Sequence, residues 1–276
     1  MSGWTALLPV SLILLIAGTY GLGRRYGARV GIAAAALVAC SPVVLSQVVQ
    51  PTVDVLAAAL WTLALTAATG TSKRHALLAG CFGGLATAIR LNIAPLDLLV
   101  VLFLLFRPER LWRERVSAAL TYVAAGAVAL IVIALVGWQS HGVFALEPGL
   151  WGGLFARSHV PFNLRRCIDL LWHVQTPAML LLFAAPVLLP GALALLLVGC
   201  VLVSVALYLP SGIFDDWRFL YSMLPSIPPL MILVVASIDA VWRQVRLPKP
   251  RAAIVLATVV LAALCVREAY VRGVVR

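Results

Sequence analysis

The chain has 276 residues, 63% of them hydrophobic and 11% charged, with a mean hydropathy of +1.06 and a formal net charge of +11. So few polar side chains cannot cover the surface of a soluble domain, and a water-soluble fold is excluded. Apolar runs recur over almost the whole length, which points to an all-α polytopic membrane protein with one membrane domain spanning 1–276.

Taken in chain order, runs of about 20 residues, with shorter ones where the chain is interrupted, place about ten spans. They fall near 5–22, 30–47, 53–69, 76–90, 93–106, 117–138, 174–189, 191–208, 219–239 and 252–267. The first run lacks a basic lead and is followed by Arg24 and Arg25, so it reads as a retained span rather than a cleaved signal. Basic clusters at 24–29, 73–74, 107–115 and 243–251 all land on one side. They carry 13 of the 21 Lys and Arg, with Glu109, Glu114 and Asp239 as the acids there. The positive-inside rule makes that side cytoplasmic and puts both termini on the outer side. The same clustering accounts for the positive charge without a nucleic-acid partner, and membrane lipids are the expected surroundings.

Segment 76–106 tests this plan. One long helix would push the cluster at 107–115 outside, whereas two short spans turning near 90–95 preserve the parity. Spans of about 13–15 residues are shorter than the hydrocarbon core, so the bilayer must thin or neighbouring helices must shield their ends. Arg90, Asn92 and Asp97 then share a polar notch on the outer side.

Residues 139–173 form the longest non-spanning stretch, an outer loop holding Phe144, Trp151, Phe155, Phe162 and Trp172. Its last part reads as an interfacial helix beginning near Asn163. Leu164, Ile168, Leu171 and Trp172 mark a buried apolar face, and Arg165, Arg166, Asp169 and His173 mark a polar one. Arg165 and Asp169 are spaced to pair at i,i+4.

Charges in or beside spans are functional suspects, because each costs about 2.5–3.5 kcal/mol or more to bury. Asp54 follows Pro51 and Thr52. It reads either as a first-turn acid favoured by the helix dipole, with Thr52 as cap, or as a carboxylate facing an outer cavity. Arg90 follows Gly80, Gly83 and Gly84, which suit a close helix-packing face. The arginine either snorkels or pairs with Asp97, or it clamps a phosphate through its planar guanidinium. Arg165 and Arg166 fit lipid headgroups and a phosphate-bearing substrate alike. Asp215 and Asp216 precede Trp217 and Arg218. They suit a solvated loop, and a divalent cation is the one cofactor they raise.

The five cysteines are scattered as small buried hydrophobes, and the four histidines show no metal spacing. There is no phosphate-binding glycine loop, dinucleotide fingerprint or nucleophile elbow.

Several runs together resemble the bacterial branch of the C-type (GT-C) glycosyltransferases, which includes relatives of protein O-mannosyltransferases and aminoarabinose transferases. The resemblance runs through RRYGARVG (24–31), ALVACSPVVLSQVVQPTVDVLAAALWTLAL (36–65) and LLAGCFGGLATAIRLNIAPLDLLV (77–100). It continues in NLRRCIDLLWHVQTPAMLLL (163–182) and DDWRFLYSMLPSIPPLMIL (215–233). It implies a multi-pass enzyme of the bacterial cytoplasmic (inner) membrane that takes a sugar from a polyprenyl-phosphate carrier on the outer face. The family's second acidic position corresponds to Asp54, its post-glycine basic residue to Arg90, and its late aromatic–arginine motif to Trp217 and Arg218. The first run corresponds to the family's second span, so the family's leading span, the acidic loop after it and the soluble C-terminal domain have no counterpart here.

The expected function is glycosyl transfer from a lipid phosphate to an unidentified acceptor. Asp54 is the catalytic residue, positioning the acceptor or a metal, and Arg90, Asn92, Arg165, Arg166, Trp217 and Arg218 contact the substrate. The alternatives are a catalytically incomplete homologue or partner that binds lipid-linked sugar without turnover, and a transporter. A transporter should show paired repeats with broken helices, and only the 76–106 pair has that form.

Overall fold

A computed structural model describes residues 2–49, 53–109, 111–139, 157–175, 177–210, 217–245 and 250–274. The described residues form helices and turns with no strand among them. The helices are α1 (Ser2–Gly23), α2 (Ala28–Cys40), α3 (Pro42–Val49), α4 (Asp54–Ala68), α5 (Lys73–Ile89) and α6 (Ala94–Phe106). They continue as α7 (Trp112–Gln139), α8 (Val160–Leu170), α9 (Leu181–Leu188), α10 (Ala192–Tyr208), α11 (Ile227–Gln244) and α12 (Pro250–Val271). By length and composition, stretches Trp112–Leu135, Leu220–Gln244 and Ala252–Val271 can each cross a membrane, and shorter apolar helices accompany them. The protein is therefore an all-α membrane protein.

Apolar residues all round α11 leave no polar face to turn outward, so it becomes the central post, buried from Ile227 through Ser237. Helix α7 is at the edge. Its Leu120, Val123, Ile131 and Leu135 are exposed, which suits a lipid-facing wall.

Small residues set the closest packing. On α5, a Cβ added at Gly80 would lie 2.2 Å from the Tyr122 carbonyl of α7, and one at Gly84 would lie 2.5 Å from the Gly126 carbonyl. Only glycine permits this approach, so Gly80 and Gly84 form the packing face their spacing suggested. On α1, Gly18 and Gly21 receive Thr62 and Thr66 of α4, and the Thr66 hydroxyl lies 3.0 Å from the Gly18 carbonyl.

These contacts also fix direction. α1 runs parallel to α4, and α5 parallel to α7. Arg107 Nη1 donates to the carbonyls of Ala68 at 3.2 Å and Gly70 at 2.9 Å. The ends of α1, α4 and α6 therefore share one end of the bundle with the starts of α2, α5 and α7, and the basic clusters at 24–29, 73–74 and 107–115 gather there. Segment 76–106 is a hairpin of two helices, as the charge pattern required, broken where Arg90 turns extended at φ −139°, ψ 101°.

Several expected elements differ in detail. The run at 30–47 is broken at Ser41, where the following Pro42 ends α2. The run at 219–239 opens as a 3₁₀ stretch, Trp217–Ser226, before α11 begins. An α-helix running on from 219 would need the N–H groups that Pro225, Pro228 and Pro229 lack. A helix starting at Ile227 holds Pro228 and Pro229 in its first turn, where no intrahelical donor is required. The amphipathic helix begins at Val160 rather than Asn163 and widens into a π turn at Leu171–Gln175.

Its faces are also corrected. Leu171 packs inward with Asn163, Cys167 and Leu170, while Leu164, Ile168 and Trp172 of the expected apolar face are exposed on the outside of the bundle. Asn163 Nδ2 donates to the Leu209 carbonyl at 2.9 Å, tying α8 to the end of α10. A hydrophobic pattern does not report this polar anchor, which holds the helix rotation together with Cys167 and Leu170. Asp169 pairs with Arg166 at 2.9 Å and with His173 at 3.4 Å, rather than with Arg165.

Candidate acid–arginine site

Two helix ends of opposite polarity meet at the end of the bundle away from the basic turns. Asp54 opens α4, where the helix dipole is positive and, among the described residues, no side chain caps the first turn. Arg90 closes α5, where the dipole is negative, and Pro95 just beyond favours starting a new helix over extending the old one. The charges complement both the dipoles and each other. Asp54 Oδ1 lies 3.2 Å from Arg90 Nη1. The same nitrogen donates to the Tyr221 carbonyl at 3.2 Å, in the 3₁₀ stretch.

The two residues singled out on their own are thus one pair, and the suggested Arg90–Asp97 pair is not formed. Asp97 accepts instead from the Thr87 hydroxyl at 2.6 Å and from Tyr122. That buried cluster ties both arms of the hairpin to α7. Thr87 is one turn before Arg90, so the cluster also braces the hairpin tip.

The pair is not sealed. Arg90 and Asp54 keep 17% and 23% of their side-chain surface exposed. Among the described residues, Arg90 Nη2 and Nε have no partner, so three N–H donors remain for a ligand. Asn92 stands two residues on, and its Oδ1 is buried without a partner among the described residues. An unsatisfied buried acceptor costs about 1–3 kcal/mol, and a ligand hydroxyl would relieve it.

Trp217 is half-buried. It meets Tyr221 edge-on at 5.8 Å and carries the Arg272 guanidinium 5.6 Å from its ring centre. Tyr208, at the end of α10, is within electrostatic reach of Asp54 and Arg90.

Sequence reading missed Tyr208, Tyr221 and Arg272. Tyr221 acts through its backbone carbonyl and leaves no sequence signal. Arg272 had one, being a cation beyond the last span on the side expected to be poor in them. Arg165 is exposed and Arg166 half-buried against Asp169. Among the described residues, no contact joins either arginine to the Asp54–Arg90 pair. Cys167 packs 3.8 Å from Met223 of the 3₁₀ stretch, and burial pushes its thiol up to about 11, as befits an inert packing residue.

Thr52, Asp215, Asp216, the loop aromatics Phe144, Trp151 and Phe155, and the Arg218 side chain lie outside the described residues. Among those described, no three His, Cys, Asp or Glu side chains converge. One free oxygen on Asp54 falls short of the ligand set a hard cation requires.

An all-helical membrane bundle with an acid–arginine pair at one end is the setting into which the comparisons fit. Residues 2–138 match the family described as dolichyl-phosphate-mannose-protein mannosyltransferase. This match, just under half of the chain, takes in Asp54, Arg90 and Asn92. It supports a membrane glycosyltransferase of the GT-C type that uses a lipid-linked donor. No curated protein matches the chain.

Proposed function

We propose that the protein transfers a glycosyl group from a polyprenyl-phosphate-linked sugar to an acceptor on the outer face of the bacterial cytoplasmic membrane. The observation that carries this reading is the half-open Asp54–Arg90 pair. Arg90 engages its protein partners through one guanidinium nitrogen and keeps the rest for phosphate oxygens. In the reaction the acceptor oxygen bonds to the anomeric carbon, the bond from that carbon to the phosphate oxygen breaks, and its electron pair leaves with the lipid phosphate. Arg90 offsets the charge developing there. Asp54 orients the acceptor hydroxyl and takes its proton. Asn92 accepts from a sugar hydroxyl, and Trp217 offers a flat apolar wall beside it. Arg165, Arg166 and Arg218 add positive charge along the carrier's approach.

Binding without turnover is the second reading, and one observation favours it: Asp54 already spends one carboxylate oxygen on Arg90. The test uses the full chain in nanodiscs with a radiolabelled polyprenyl-phosphate hexose. Arg90→Ala should weaken donor binding by about 10²-fold, the scale of losing one preorganised charge contact, while membrane insertion is retained. Unchanged affinity would remove Arg90 from the site. Binding by the unsubstituted chain with no sugar released or transferred would select the second reading.

A further inference from the structure

At the opposite end of the bundle, α2 and α12 run side by side with a groove of about 420 Å³ between them. The alanine run on α2 makes this space, because Ala36 brings too little bulk to reach α12. Ile32, Val255 and Val259 complete apolar walls, and Thr258 spends its hydroxyl hydrogen on the Ile254 carbonyl at 2.6 Å, so it offers the groove no free donor. The slot therefore suits hydrocarbon.

Its rim has the opposite character. Arg29 lines the groove and is exposed, with no ion pair or hydrogen bond among the described residues. The adjoining turn adds Arg24 and Arg25, and the chain has no acid before Asp54, which lies at the far end of the bundle. On neighbouring α11, Asp239 is paired with its own Arg243. Among the described residues, nothing neutralises this rim.

An occupant must join negative charge to an apolar chain. A soluble anion would leave the slot unfilled, and a second copy docking by the same face would oppose three arginines to three arginines. We propose that the groove binds a phospholipid with an anionic headgroup, its phosphate held by Arg29 with Arg24 and Arg25 nearby and one acyl chain lying between α2 and α12. The site is separate from the Asp54–Arg90 pair and does not depend on the proposed transfer reaction.

The test is native mass spectrometry of the full chain released from nanodiscs of phosphatidylcholine with and without phosphatidylglycerol. The chain should retain phosphatidylglycerol in preference to phosphatidylcholine. Arg29→Gln should reduce that preference about five-fold, the contribution of one arginine near a headgroup. Ala36→Phe fills the slot with a ring and should lower retention without changing charge, so the proposal stays testable if Arg29→Gln does not fold. Arg113→Gln, on a different basic helix start, should leave retention unchanged. Equal retention of the two lipids would overturn the proposal, as would retention that survives both groove variants. Protection by inorganic phosphate equal to that by phosphatidylglycerol would overturn it too, as would a dimer abolished by Ala36→Phe, which would assign the groove to a second copy.

Discussion

Replacing Asp54 and Arg90 singly and together separates the pair's contribution to the fold from its role toward a ligand. At 3.2 Å, two unit charges in an effective dielectric of about 20 attract by roughly 5 kcal/mol. Both side chains stay partly exposed, so water screens that attraction, and desolvation on forming the pair offsets much of the rest. A net coupling of about 1–2 kcal/mol is expected, between the values for surface and buried pairs. The assay is reversible unfolding in mild detergent of the parent, Asp54→Asn, Arg90→Gln and the double variant. Arg90→Gln should cost more than Asp54→Asn, because it also removes the charged donor to the Tyr221 carbonyl.

Donor binding should then split the two. Arg90→Gln loses it. Asp54→Asn frees the guanidinium from its internal partner, so binding holds or tightens while transfer falls. Additive effects within about 0.3 kcal/mol would refute the pairing. An Asp54→Asn variant that loses binding as severely as Arg90→Gln would refute the division of roles.

Other positions give sharp contrasts. Gly80→Ala and Gly84→Ala each drive a Cβ into a backbone carbonyl of α7 and should cost about 1–3 kcal/mol or more. Gly126→Ala meets nothing nearer than 3.4 Å and should be tolerated, so equal losses of thermal stability at 84 and 126 would contradict the packing. Asp97→Ala strands the Thr87 and Tyr122 hydroxyls and should destabilise by about 1–3 kcal/mol. Asp97→Asn keeps an acceptor and should lose less; the reverse order in detergent melting would argue against the brace. Asn163→Ala removes the bond to the Leu209 carbonyl and should cost about 1 kcal/mol. Trypsin should then cut faster after Arg165 and Arg166 than in the parent, and unchanged cleavage would mean that other contacts hold α8.

The sequence by itself determined the helical membrane class, the approximate places of the apolar segments and the break at Arg90. The reason is local: chain hydrophobicity must match hydrocarbon, a long charged side chain resists burial, and proline interrupts a helix wherever it falls. Gly80 and Gly84 were legible for the same reason, because their one purpose is close approach. Asp54 and Arg90 could each be singled out by the cost of burial, yet their pairing was not legible. They are 36 positions apart, and Asp97 is nearer to Arg90 in sequence. Only the packing of α4 against α5, with α7 holding Asp97 through Tyr122, decided which acid the arginine meets. The rotation of α8 was likewise settled by contacts with distant segments, Asn163 on the Leu209 carbonyl and Cys167 against Met223, and the seat for Arg90 on the Tyr221 carbonyl by backbone that carries no residue-specific signal. Hydrophobic pattern sets which segments enter the membrane, whereas the partners of buried polar groups depend on contacts between distant segments and exist only once the helices have packed.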